Sequence, residues 1–432
     1  MEHSFIFFSL AVALLFGLLM SRVTKKIGLP AVTGYLIAGL IIGPFGLGRF
    51  GVSGLGFTDI NNVSAFSIIS ETALGFIAFT IGNEFRLSDL KKTGKQVVVV
   101  TVLETVAAIV FVDAALIGLH YIIPDKLPLT AAITLGAIAS ATAPAATLLV
   151  VRQYKADGPT TRLLLPVVAL DDAIGLIGFA LSFGIAKSMI GSVNPISIIV
   201  EPLLEIVLSL TVGTVLGLIF SFVERFFHSR SKRLAMSVAF VMFAVAISML
   251  KFKVFGINIG FSNLLTCMML GTVFCNICDF SEELMERVDK WTAPLFILFF
   301  VLSGAELQLD VFKNIKVLGI GIVYIVFRCA GKYLGSYWGC ALTKCDPKVT
   351  KALGITLFPQ AGVALGMSLS ALEMFKGDEG RLIRNVVLFG VLIFELFGPS
   401  LTKFALTRAG EIRPEGRKSS RSKNPVPHRA KN

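Results

Sequence analysis

Charge is scarce in this sequence: 16% of its 432 residues are Asp, Glu, Lys or Arg, against 55% hydrophobic residues. An ordinary soluble domain carries about 25% charge, so a water-exposed globule is excluded, and the mean hydropathy of +0.80 points to the bilayer. Histidine is scarcer still. The four present, His3, His120, His228 and His428, all fall between or outside the apolar stretches, which excludes a histidine proton relay within the membrane. Six cysteines all lie after residue 260, within or at the ends of apolar stretches, so a disulfide framework is not expected. Cys275 and Cys278 form a CxxC, but neither a second pair nor a nearby histidine completes a tetrahedral metal site. No phosphate-binding loop, GxGxxG, HExxH or nucleophile elbow occurs in a usable context. ATP-driven transport and hydrolytic chemistry therefore have no support, and no cofactor is expected.

What the chain does have is long apolar runs. A spanning helix needs about 20 mostly apolar residues, and such runs recur at roughly 4–22, 30–47, 66–83, 96–116, 130–151, 160–186, 197–224, 233–251, 258–276, 292–308, 317–342, 350–373 and 384–405. The expected fold is all-α and polytopic, with about 13 transmembrane helices. The first run lacks a basic leader and a small-residue cleavage site, and reads as a retained helix. With these spans, 28 lysines and arginines lie on one side and 10 on the other, while Arg328 and Lys332 lie inside a span. The positive-inside rule then places the N-terminus outside and the C-terminus in the cytoplasm. Residues 1–410 read as one transmembrane domain. Residues 411–432 read as a basic, disordered cytoplasmic tail able to meet anionic headgroups.

An internal repeat is legible. Gly82-Asn83-Glu84 with Leu87 at the end of the third span is echoed by Gly304-Ala305-Glu306 with Leu309 at the end of the tenth, 222 positions later. Seven spans separate the copies, so the second runs through the membrane in the opposite sense. Pro144 in the fifth span and Pro359 in the twelfth are related in the same way, 215 apart. Each lies amid small and polar residues, Ser140 and Thr142 beside the first, Gln360 and Gly362 beside the second. Proline removes a backbone donor and disfavours helix in the residue before it, so both spans are expected to break there. Broken backbone at membrane depth is tolerated only where protein buries it or a polar cavity receives it.

Ionisable residues at mid-span each cost about 2.5–3.5 kcal/mol on insertion scales and need a reason. They are Glu104, the adjacent Asp171 and Asp172, Arg328 with Lys332, and Glu395. Glu104 to Arg328 and Asp171 to Glu395 are each 224 apart, the repeat offset again. Adjacent helical residues project about 100° apart, so the two aspartates have different jobs. Arg328 and Lys332 share a face and are expected to pair with Asp171 and Glu104, with either base free to take either acid. This leaves Asp172 as the cation and proton ligand, with Asp171, Thr142 and freed carbonyls as further oxygen donors. Glu104 and Glu395 read as charge partners that hold helices together.

These residues together resemble the monovalent cation/proton antiporter superfamily, especially its Kef-type and NapA-like sodium/proton branch. Leu29 to Gly48, LPAVTGYLIAGLIIGPFGLG, is similar to that branch's second helix, and Phe79 to Leu87 to the end of its third. ATAPAAT at Ala141 to Thr147 and LFPQAG at Leu357 to Gly362 resemble its two crossing, partly unwound helices. Asp171-Asp172 matches the paired acidic motif. FRCAGKYLG at Phe327 to Gly335 resembles the basic core helix, and Glu395 to Ile412 the last one.

The resemblance implies a homodimer with a scaffold domain and a mobile core domain, carrying the ion by elevator-like alternating access in a prokaryotic plasma membrane. It makes Asp172 the principal ion site and pairs Asp171 with the base of the eleventh helix, aligned here with Arg328. Asp-Asp often accompanies electrogenic exchange of two protons per cation, but many such relatives carry lysine at that base, and a guanidinium does not release a proton at accessible pH. The expected function is Na+ or Li+ exchange for H+. Kef-type K+/H+ exchange and a transport-dead sensor on the same scaffold are the alternatives. Kef-type relatives often carry a nucleotide-binding domain after the membrane region; none follows Ile412, which tilts the expectation to sodium.

Overall fold

The computed structural model describes residues 3–51, 56–59, 63, 66–83, 87–190, 195–227, 229–250, 252–254, 257–278, 281–307, 315–375 and 377–412. Of the tail expected over 411–432, Glu411 and Ile412 are instead buried parts of the fold and the rest lies outside the described residues, as do Glu84 and Leu309 of the echoed motifs. Fifteen α-helices make up nearly all of the described chain. In chain order they are α1 (His3–Lys26), α2 (Ala31–Ile42), α3 (Ser67–Asn83), α4 (Leu87–Ile122), α5 (Leu129–Ile138), α6 (Pro144–Gln153), α7 (Pro159–Ile190), α8 (Pro195–Val223) and α9 (Arg230–Ser248). After a small hairpin of β1 (Phe252–Val254) and β2 (Ile257–Ile259) come α10 (Asn263–Ile277), α11 (Ser281–Glu306), α12 (Ile315–Leu342), α13 (Pro347–Thr356), α14 (Gly362–Met374) and α15 (Asp378–Ala409).

Nine of the described helical segments are by themselves long and apolar enough to cross a membrane. Two shorter helices, α3 and α10, pack together and each crosses once. The pairs α5/α6 and α13/α14 each make one interrupted crossing, the breaks falling at 139–143 and 357–361 around Pro144 and Pro359. With these shorter helices and interrupted pairs, the fifteen described helices accommodate the expected thirteen spans. One expected span is corrected at its edge. The ninth begins at Asn263 rather than near 258, because Ser262 caps α10 by accepting from Leu265 N–H (3.3 Å), and the apolar residues before it pair instead as the hairpin, Val254 opposite Ile257 and Phe252 opposite Ile259.

The helices pack as two bundles. The first holds α1, α2, α3, α8, α9, α10 and α11; the second holds α4 to α7 and α12 to α15. A stack of Phe79, Phe220 and Phe274 fills the first between α3, α8 and α10, with Phe220 and Phe274 rings 4.3 Å apart. In the second, α4 and α12 lie against each other because glycines recur every fourth residue on α12. A Cβ on Gly331 would stand 2.7 Å from the Ala107 oxygen, on Gly335 2.6 Å from the Glu104 Cα, and on Gly339 2.7 Å from the Val100 Cα. Small residues in this pattern let backbones approach where lipid supplies no hydrophobic drive. The two bundles meet where α7 packs against α8, and along a seam where α2 and α3 touch α6 and α2 touches α15.

The second bundle has a staple at one end. Gly410, in the left-handed region at φ 82°, ends α15 and turns the buried Glu411 onto the start of α7. Its carboxylate accepts from Thr160 N (2.6 Å), Thr161 N (2.8 Å) and the Thr161 hydroxyl (2.6 Å). Three of α7's first donors are thereby satisfied by a negative charge at the positive helix pole.

Candidate cation site at the crossing of two broken helices

The two breaks touch directly. Ala143 N–H donates to the Pro359 carbonyl at 2.9 Å, the Thr142 hydroxyl to Leu357 O at 3.4 Å, and the Gln360 amide to Ile138 O at 3.0 Å. Pro144 sits at the first position of α6, where its missing N–H costs nothing and its fixed φ suits a helix start. The carbonyls at the ends of α5 and α13, left without helical partners, converge on α12. There Arg328 receives them: Nε donates to Ala139 O (3.0 Å), Nη1 to Phe358 O (2.7 Å) and Nη2 to Ala141 O (2.6 Å). Its guanidinium lies 4.5 Å from the centre of the Phe394 ring. A fixed fork of donors suits this task, and a cation at two helix C-termini is favourably placed. Tyr324 completes the shell by bonding Gln360.

One turn along α12, Lys332 is clamped between two acids. Its Nζ lies 2.6 Å from Glu104 Oε2 on α4, and 3.2 and 3.1 Å from the two oxygens of Asp171 on α7. All three side chains are wholly buried. The Thr105 hydroxyl donates to Asp171 Oδ1 at 2.7 Å. Asp171 is therefore a satisfied group, held by charge and by hydrogen bond.

Asp172 is the opposite case. It is 3% exposed, and among the described residues neither carboxylate oxygen has a hydrogen-bond partner. Buried polar atoms are almost always paired, and an unpaired buried carboxylate is costly, so two orphaned oxygens beside a saturated acid mark a place for a ligand.

The sequence matches the model of the family described as sodium/hydrogen exchanger, transmembrane, over residues 10–408. The chain belongs to the sodium/hydrogen exchanger family. This is a family of transporters, not enzymes. The fold agrees: two solved structures of the sodium proton antiporter MjNhaP1 from Methanocaldococcus jannaschii superpose on it. One, solved at pH 8, has 19% identity and a TM-score of 0.64, over 93% of this chain and 94% of that one. The other, an electron-microscopy structure, has 18% identity and a TM-score of 0.73, over 96% of this chain and 100% of that one. No curated protein sequence matches.

Within this exchanger, Asp171, Asp172, Thr142, Glu104, Arg328, Lys332 and Gln360 gather around the crossing. Two expected arrangements are corrected. Arg328 makes no ion pair with an acid among the described residues; it bonds three carbonyls, and the base beside Asp171 is Lys332. The cause is reach, since the close α4/α12 contact at Gly331 and Gly335 brings Lys332, not Arg328, level with Glu104. Glu395 pairs with neither base among the described residues. Its neighbour Phe394 faces Arg328, and a residue one step along a helix points about 100° away. Glu395 is 7% exposed and its Oε2 has no hydrogen-bond partner.

Ser140 lies in the first break, bonded to Ala137 O at 2.7 Å, and Gly362 opens α14. The freed carbonyls expected as cation ligands are largely taken by Arg328, Gln360 and Thr142, which shifts the donor set toward carboxylates. Sequence reasoning missed Thr105 and Tyr324. Thr105 follows Glu104 directly, and Tyr324 stands one turn before Arg328 on the same face, a signal available from spacing.

Proposed function

We propose that this exchanger moves Na+ or Li+ against H+ by alternating access, with Asp172 as the ligand that proton and cation share. The observation that carries this reading is the buried Asp172 carboxylate, without a partner among the described residues, beside an Asp171 already paired with Lys332. A carboxylate with no internal partner is neutralised either by a proton or by a metal cation, and the two exclude each other on the same oxygens. That exclusion is the exchange. Thr142 and Asp171 are the neighbouring oxygens available to complete a hard-cation shell. Lys332 and Glu104 hold Asp171 in place, and Arg328 with Gln360 keeps the crossing closed against water.

The first bundle serves as scaffold and the second as the moving core, a division supported by packing that is denser within each bundle than between them. The face bearing Lys25, Lys26, Arg152 and Lys344 is assigned to the cytoplasm of a cell membrane by its excess of basic residues. A homodimer is the assembly that the resemblance implies. The test is cation-driven proton flux in proteoliposomes with Na+, Li+ and K+ in turn. Na+ and Li+ are expected to drive flux, and Asp172→Asn to abolish it while leaving a folded, monodisperse protein. Exchange at the normal rate in that variant overturns the assignment.

A further inference from the structure

The helix that starts at the crossing ends at the seam between the bundles. α6 runs from Pro144, whose preceding residue is bonded to Pro359, to Arg152 and Gln153, about 13 Å away at 1.5 Å per residue. Its last turn is bolted to the first bundle on the basic face. Arg152 Nη1 lies 2.5 Å from Asp289 Oδ1 on α11, an ion pair half-shielded from water. The Gln153 side-chain oxygen accepts from the backbone N–H of Ala31 at 2.8 Å. That amide opens α2, where Pro30 offers no side-chain cap, so Gln153 supplies the partner that the helix start lacks. Beside them, Lys403 of α15 donates to the Gly28 carbonyl between α1 and α2 at 2.7 Å, with its amine 4.5 Å over the ring of Tyr154, the residue that ends α6.

All three contacts join residues of different bundles at one end of the seam. Beside them the seam is apolar, with Ile77, Ala145, Leu148, Leu149, Phe296 and Phe300 lining a shallow gap that Arg152 also borders. Such a surface offers little directional resistance to sliding, whereas hydrogen bonds fail within a fraction of an ångström beyond their limit. The polar contacts are therefore the directional part of the seam on this face, added to the packing of α2 on α15 and of α7 on α8.

The geometry points to a latch: Arg152, Gln153 and Lys403 hold the core bundle against the scaffold and shut the basic face in the conformation described here. This rests on the exchange reading for its purpose, since a latch serves a protein whose bundles move. Because α6 is continuous from the crossing to the latch, movement of the site relative to the scaffold requires all three contacts to open. None of the latch residues belongs to the cation site, so they can be altered without removing a ligand.

The experiment uses the full chain in nanodiscs, on a background without the native cysteines, carrying Leu148→Cys as a reporter in the seam. The leucine there is 3% exposed. Rates of reaction with a membrane-impermeant maleimide, which in a nanodisc bathes both faces equally in every sample, are compared for the latch-intact protein, Arg152→Asp, Asp289→Arg and the double exchange of both charges. Each single variant is expected to raise the labelling rate at least threefold, and the double variant to return it to within twofold of the latch-intact rate. Thermal melting separates opening from unfolding. Unchanged labelling in folded single variants, or a double variant no slower than the singles, overturns the latch. Labelling does not depend on ion flux, so the two readings fail separately. Exchange surviving in Asp172→Asn removes the proposed site and leaves the latch result standing, and the reverse holds equally.

Discussion

Lys332 is the residue on which the buried charges balance. Two carboxylates share one amine with no water in contact, so its removal leaves Glu104 and Asp171 facing each other without a counter-charge. Breaking a buried ion pair by removing one partner costs about 3–5 kcal/mol, whereas replacing the whole set by apolar groups is often neutral. Lys332→Met is therefore expected to lower the melting temperature in detergent by several degrees. Adding Glu104→Gln is expected to recover part of that loss, as scanning fluorimetry would read.

Which base partners Asp171 was not legible in the sequence, since Arg328 and Lys332 share one helical face and both can reach an acid. The choice is made by the distance between α4 and α12. The correction matters because the base that meets the acids is a compact amine, while the guanidinium of Arg328 is committed to three carbonyls. The orphaned state of Asp172, by contrast, was foreshadowed by simple geometry, because two adjacent acids cannot face the same base.

At the scale of the element, the glycines on α12 determine whether the site assembles. Gly335→Val would place carbon where the Glu104 backbone already lies, 2.6 Å away, and force α4 and α12 apart. It is expected to lower stability sharply and abolish proton flux. Gly319→Ala on the same helix has nothing within 4 Å of the new methyl and is expected to behave as wild type. A matched pair of melting curves and flux assays checks this.

The two breaks were readable because proline amid small polar residues has few other meanings in a span. The hairpin before α10 was not readable, because its apolar residues continue the run that forms the helix and periodicity cannot divide them. Only the Ser262 cap marks the boundary, and a serine in an apolar run is an ambiguous sign.

For the molecule as a whole, the thirteen expected spans and the excess of basic residues on one face define a topology that can be measured. Single cysteines at Lys155 and Asp125, on opposite faces, are expected to react in whole cells in opposite ways: position 125 with impermeant reagent outside, position 155 only after the membrane is opened. The reverse pattern would invert the assignment of the cytoplasmic face. A nearly all-helical, many-span membrane fold was legible from hydropathy. The separation into two bundles was not, because each bundle draws helices from both halves of the chain.

That interleaving bears on how the protein is made. In the first break the carbonyls of Ile138, Ala139 and Ala141 find their partners on Gln360 and Arg328, and Ala143 donates to Pro359. Every one of these partners is synthesised nearly 190 residues or more later. While the ribosome is still producing the second half, the fifth span lies in or beside the bilayer with an interrupted backbone that lipid cannot satisfy. Biosynthesis therefore passes through a stage in which the first half must be sheltered, by the insertion machinery or by trapped water. A chain released before residue 360 has no route to closing the crossing.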